Sequence, residues 1–205
     1  MIGLEKLRKR NDGICKKIIW VIIFLLVIST IVLVQNLRGK MKGELYGGAD
    51  GYKIYYDQDL NTYAYQIFSL EGEKIDEVTN INGNLTVDEI NDLVIHVIVS
   101  AGSYARQEWF YNRKTGEKSE EFFNVSAVNN TMTAYMEFTE EGKICLIIRD
   151  IFDKNTFYKE ITRDFSKTAT ACSDLKEAVF LDEKTLKIEY FVGEDRDVVQ
   201  EVLEL

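Results

Sequence analysis

His96 is the only histidine in this chain. A catalytic triad, a metal centre or a general base built on it would need a nucleophile, carboxylate or second ligand at a recognisable spacing. The run Val94-Ile95-His96-Val97-Ile98-Val99 offers none, so the residue reads as a hydrogen-bonded histidine inside a strand. No G-x-S-x-G, P-loop, H-E-x-x-H or paired-cysteine metal spacing occurs. Asp57-x-Asp59-x-Asn61 copies the first three positions of a calcium loop, but Thr62 stands where the loop needs Gly and Phe68 where it needs Glu. It reads as an Asx-rich turn, and Glu194-Asp195-Arg196-Asp197 as a charged hairpin turn. A glycosidase would need two carboxylates across a cleft, and the many acidic residues single out no pair. The expectation is therefore no catalytic residue, no metal ligand and no cofactor.

Aromatic side chains supply the remaining candidate. Trp109 and Tyr111 lie two apart on a predicted strand, on the same face. With Tyr104 nearby, they form a candidate platform for a sugar or a peptide: Tyr104, Trp109 and Tyr111 are the predicted ligand-binding residues. Tyr52, Tyr55, Tyr56, Tyr63 and Tyr65 make a second tyrosine-rich patch. Aromatics at strand spacing equally suit a core. Of three cysteines, Cys15 precedes the long apolar run, Cys145 sits in the apolar run Ile144–Ile148 and reads as a small core residue, and Cys172 lies in a polar stretch. A Cys145–Cys172 disulfide is open, with no spacing that demands it.

The elements that must position these residues are mostly strands. Runs of Tyr, Phe, Ile, Val and Thr are broken by Gly, Asn and Asp turns. Strands are predicted at 53–56, 63–70, 74–81, 94–99, 104–111, 117–125, 133–138, 144–152, 156–165, 177–181, 186–192 and 198–203, with a polar loop over 166–174. Thr86-Val87-Asp88-Glu89 has the pattern of a capping box and predicts a short helix within 82–93. Long helices between strands are missing, which argues against a βαβ sheet.

Tyr63, Tyr104, Ile144 and Leu186 each open the second strand of a predicted three-strand unit, at spacings of 41, 40 and 42 residues. The best-matched pair is Phe138-Thr-Glu-Glu-Gly142-Lys143-Ile144-Cys-Leu146 against Phe180-Leu-Asp-Glu-Lys184-Thr185-Leu186-Lys-Ile188. A β-rich period near 40 with an acidic turn resembles the blades of a β-propeller. The resemblance spans most of 53–203 and implies a mainly β fold, an antiparallel meander of four repeats. It departs from the family in showing three strands per unit where a blade has four, and in lacking the WD and G-H signatures. A β-sandwich or barrel built from the same hairpins is the alternative.

Ahead of the repeats, Ile18–Val34 reads IIWVIIFLLVISTIVLV, uncharged throughout, and the uncharged run extends to Leu37. About 20 residues at about 1.5 Å each span a bilayer. Ser29 and Thr30 can bond back to helix carbonyls, and no polar stripe marks a soluble helix. No small-residue cleavage site follows, so the segment reads as an uncleaved signal-anchor. Lys6, Arg8, Lys9, Arg10, Lys16 and Lys17 precede it, against Arg38, Lys40 and Lys42 after it. This places the N-terminus in the cytoplasm. The expected organisation is a basic cytoplasmic tail over 1–17, a transmembrane helix over 18–37, a linker over 38–51 and an extracytoplasmic all-β domain over 52–205.

Charge follows the same division. The net charge is −9. Nine of the 25 Lys and Arg but only two of the 34 Asp and Glu (Glu5, Asp12) fall in residues 1–42, leaving 16 basic against 32 acidic residues beyond them. The basic part suits anionic headgroups, and the acidic part would repel nucleic-acid phosphate. Absence of proline and a lean toward Ile, Lys, Asn, Glu and Tyr resemble a bacterial protein of an AT-rich genome. The expectation is a single-pass cell-membrane protein, a binding or assembly module of the envelope without catalytic activity. Its partners would be the membrane and a protein or glycan outside, with no nucleic acid. The alternatives are a carboxylate-based envelope hydrolase and a regulatory subunit acting through its membrane helix.

Overall fold

In a computed structural model of the chain, residues 43–102, 105–166 and 170–205 are described. The tail and helix expected at 1–17 and 18–37, and Tyr104, lie outside them. Among the described residues no helix is long and apolar enough to cross a membrane.

The chain builds four antiparallel sheets in sequence order. The first holds β1 (Glu44–Ala49), β2 (Tyr52–Asp57), β3 (Thr62–Phe68) and β4 (Lys74–Ile81). The second holds β5 (Asn84–Asn91), β6 (Val94–Ser100), β7 (Arg106–Asn112) and β8 (Phe122–Phe123). The third holds β9 (Val125–Val128), β10 (Met132–Phe138), β11 (Ile144–Asp150) and β12 (Tyr158–Thr162). The fourth holds β13 (Leu175–Phe180), β14 (Thr185–Val192) and β15 (Asp197–Glu204), preceded by a 3-10 turn at Ala171–Asp174. Each sheet is a simple meander in which strands consecutive in sequence are neighbours, with no crossover. None closes on itself, so the fold is mainly β with four open sheets.

Period-2 alternation explains how these sheets pack. On β6, Ile95, Val97 and Val99 join Ile54, Tyr65 and Ile67 of the first sheet in one core cluster. Val94, on the opposite face, joins Phe110, Phe122, Val125 and Ile151 toward the third sheet. On β11, Leu146 and Ile148 pack with Leu186, Ile188 and Tyr190 of the fourth. A strand covered on both faces is largely apolar, which is why β6, interrupted by His96, and β11, as far as Ile148, read as near-continuous apolar runs. Three seams therefore hold four sheets, and each buried branched or aromatic side chain contributes about 1.5–3 kcal/mol to its seam.

Three expectations are corrected, and each concerns the first strand of a sheet. Residues 44–49, within the predicted linker, form β1, whose pairing with β2 carries a bulge between Leu45 and Gly47. The segment with the capping-box pattern forms β5, not a helix. Leu85 and Val87 are buried while Thr86 and Asp88 are exposed, a period-2 pattern that feeds the seam, so tertiary burial overrides the local cap signal. The predicted strand 117–125 breaks at Asn124, whose positive φ of 53° turns the chain from β8 into β9. Three of the four units thus have four strands, not the three predicted.

Candidate functional site

Trp109 and Tyr111 do share a face of β7, opposite Val97 and Ile95 of β6. That face meets the first sheet, so the pair lies in a seam. Tyr111 is only 1 % exposed and Tyr65 is fully buried. Tyr111 Oη donates to Asp76 Oδ2 at 2.5 Å. Its one hydrogen being engaged there, Tyr65 Oη donates to Tyr111 Oη at 2.8 Å. Trp109 Nε1 donates to Tyr65 Oη at 2.9 Å. The result is a directed relay from indole to phenol to phenol to carboxylate, with every buried polar atom satisfied. Lys118 caps it, with Nζ 4.9 Å from the Trp109 ring centre and 3.9 Å from Asp76 Oδ2.

Tyr111 therefore has no face on which a ligand could stack. Trp109 is half-buried with a lysine over its ring, and any ligand surface here comes down to that ring edge. Of the second tyrosine patch, Tyr65 belongs to the relay, while Tyr46, Tyr56 and Tyr63 cluster with ring centres 4.8–6.3 Å apart. Tyr46, from β1, was not among the predicted residues, because its strand was read as linker.

The relay has a measurable consequence. Burial raises the Tyr65 hydroxyl from its usual 10.0 to about 12, partly offset by hydrogen bonding to Tyr111 and Trp109. Burial, with the Asp76 acceptor adding to it, raises Tyr111 further. Phenols held neutral in this way stabilise the fold below pH 10.0, and the contribution of Tyr65 is lost as pH rises from 10.0 toward about 12. Of the chain's 11 tyrosines, these two are expected to ionise only together with unfolding. Tyrosinate absorbance followed beside circular dichroism should show a late step coincident with loss of structure. The step should shrink in a Tyr65→Phe, Tyr111→Phe double variant, and full ionisation before unfolding would contradict the relay.

His96 sits where expected, in a strand, with a buried partner that the sequence did not reveal. Its Nε2 lies 2.8 Å from Glu108 Oε2, and its ring stacks on Phe110 at 4.3 Å. Glu108, 1 % exposed, also accepts from the Val125 backbone N–H at 2.9 Å and lies 3.4 Å from Arg106 Nε. The carboxylate has a partner on each oxygen, and among the described residues no hydroxyl or thiol nucleophile is hydrogen-bonded to the imidazole. Arg113 is the second buried ion. Its guanidinium donates to the carbonyls of Phe68 (3.2 Å), Asp92 (3.2 Å) and Ser69 (3.4 Å), and Glu89 lies 3.8 Å away. Arg149 is the third, paired with Glu120, and Asp174 the fourth, bonded by Ser166 and by Arg196 at 3.2 Å. Arg196 comes from the predicted charged turn.

Asp57 does form an Asx turn, its Oδ1 accepting from the N–H groups of Asp59 and Leu60. The same device recurs at Asn91, Asn112, Asn129 and Asp150, each accepting from the residues two and three ahead. The signal available in the sequence is an Asn or Asp at the close of a strand run. Cys145 and Cys172 are both free, Cys145 buried and Cys172 partly so, and burial raises the Cys145 thiol to about 11. Among the described residues no group of three His, Cys, Asp or Glu is placed to hold a metal ion. No protein-family model matches the chain, and no curated protein matches it.

Proposed function

We propose that the chain is a single-pass, membrane-anchored binding or assembly module of a bacterial envelope. Residues 18–37 form its anchor, residues 1–17 its cytoplasmic tail, and the β domain lies outside the cytoplasm. Within that reading the domain is a propeller-like array of four blades of about 40 residues. β1, β5 and β9 open successive blades at residues 44, 84 and 125, and the last blade has three strands among the described residues.

One observation carries the binding-module reading. The ionisable side chains gathered inside the fold are engaged as structural ties: Arg113 holds carbonyls of the 68–69 and 92 loops, and Glu108 holds the start of β9. A scaffold so tied displays the loops at its strand ends, and such loops are where binding surfaces are commonly built. The anchor supports the same reading, since tethering raises the local concentration of a displayed domain at the membrane.

The test is a pull-down of full-length protein from gently solubilised native membranes, beside protease treatment of intact cells stripped of their wall. The expected result is a stoichiometric companion, with the β domain cleaved from outside. Turnover of a wall or peptide substrate by the purified protein, abolished by replacing one carboxylate, would overturn the reading in favour of a hydrolase. Protection of the domain from external protease would overturn its placement.

A further inference from the structure

We propose that the cleft at the strand ends between the second and third sheets binds a neutral saccharide. The inference rests on the binding-module reading and names the ligand class for it. The cleft has a volume of about 540 Å³, within the roughly 300–1,000 Å³ of small-molecule sites. Its walls come from the β5–β6 turn, the end of β7, the β9–β10 turn and the end of β11.

Three of its polar side chains are held rigid by the backbone. Asn91, Asn112 and Asp150 each have Oδ1 fixed by two N–H groups of an Asx turn. Asn91 Nδ2 then reaches across to Asn130 Oδ1 at 3.0 Å, tying the rims contributed by the two sheets. The amide nitrogens of Asn112 and Asn130 and the second oxygen of Asp150 are left to a ligand. Because the turns already fix these side chains, a ligand would meet them with little further loss of rotamer freedom.

Their chemistry selects the occupant. A sugar hydroxyl both donates and accepts, and this cleft offers amide donors beside the carboxylates of Asp92 and Asp150. An anionic ligand would meet those two carboxylates with no lysine or arginine in the lining. An apolar ligand would leave the amides without partners, at a desolvation cost. Leu93, 44 % exposed, and the half-buried Phe152 supply apolar surface for the C–H face of a pyranose ring.

The experiment uses the full chain in lipid nanodiscs, avoiding sugar-headed detergents. Cellotetraose and the tetramer of N-acetylglucosamine are the probes, followed by saturation-transfer NMR and titration. At least one should bind. Leu93→Arg, at the exposed rim, should abolish binding without disturbing the fold. Asn112→Asp with Asp150→Asn keeps every turn acceptor while exchanging the outward atoms, and should weaken binding about tenfold. No saturation by either sugar, or unchanged binding in both variants, would overturn the proposal. A protein companion in the pull-down without sugar binding would remove this inference and leave the binding module standing. Sugar binding together with hydrolysis of the sugar would do the reverse.

Discussion

Replacing Arg113 with alanine should cost about 2–4 kcal/mol, a fall of roughly 6–12 °C in melting temperature for a domain of this size. Arg113 is 7 % exposed and the three carbonyl bonds of its guanidinium reach two loops of different sheets. Removing it leaves those carbonyls to find water in a closed seam and leaves Glu89 without its nearest cation. Arg113→Lys should recover less than half of the loss, because one ammonium cannot present a planar fork to three separate acceptors. Gly51 supplies an internal control. A Cβ there would stand 2.8 Å from Ile95 Cδ1 and Glu89 Oε1 and 3.0 Å from Arg113 Cζ, so Gly51→Ala should cost about 1–3 kcal/mol by overpacking. With Arg113 already shortened, that cost should fall, a coupling that a double-mutant cycle measures. A loss below about 1 kcal/mol for Arg113→Ala would mean that water replaces the fork and that the seam does not depend on it.

Sequence carried the strand content because most strands sit in a seam and show either alternation or, as in β11, an apolar run covered on both faces. β10, β11, β14 and β15 were read within a few residues of their observed limits for that reason. Every missed strand opens a sheet. β1 is exposed along nearly its whole length and contains Gly47 and Gly48, so it has neither apolar alternation nor β-branched residues to betray it. Backbone pairing to β2 is what makes it a strand. β5 carried alternation at Leu85 and Val87, but a four-residue cap pattern competed with it, and only burial against the first sheet decides between them. β8 and β9 are separated by a single Asn in a left-handed conformation, which Asn tolerates, but one Asn with no second turn residue beside it does not distinguish a boundary from a strand interior.

The candidate site was legible to a smaller degree. The shared face of Trp109 and Tyr111 followed from strand period alone. That this face is interior did not, because the first sheet that covers it is distant in sequence: Tyr65 lies 46 residues before Tyr111. Long-range partners also explain why Glu108 and Arg113 were passed over. Charged residues in an acidic chain look like solvated surface until the fold places a histidine ring or three carbonyls against them.

Glu108→Ala should destabilise the domain by about 3–5 kcal/mol. The carboxylate links three groups: His96 Nε2, the Val125 N–H that begins β9, and Arg106, whose guanidinium also donates to the Val125 carbonyl at 2.7 Å. Deleting it strands a buried imidazole donor and a backbone N–H together, and leaves a cavity beside Phe110. Glu108→Gln separates geometry from charge. Its amide oxygen can keep the Val125 bond, while its amide nitrogen is a donor and must face His96. Hydrogen-bond complementarity then requires the imidazole to move its proton from Nε2 to Nδ1. The expected result is a loss of only about 1–2 kcal/mol with a reversal of tautomer, read directly from the nitrogen chemical shifts of the chain's one histidine. If the tautomer stays as it is while stability falls as far as in the alanine variant, the charge of the carboxylate, and not its shape alone, holds the start of β9 to the second sheet. If neither changes, Val125 has another acceptor and the hand-over from β8 to β9 is fixed by Asn124 alone.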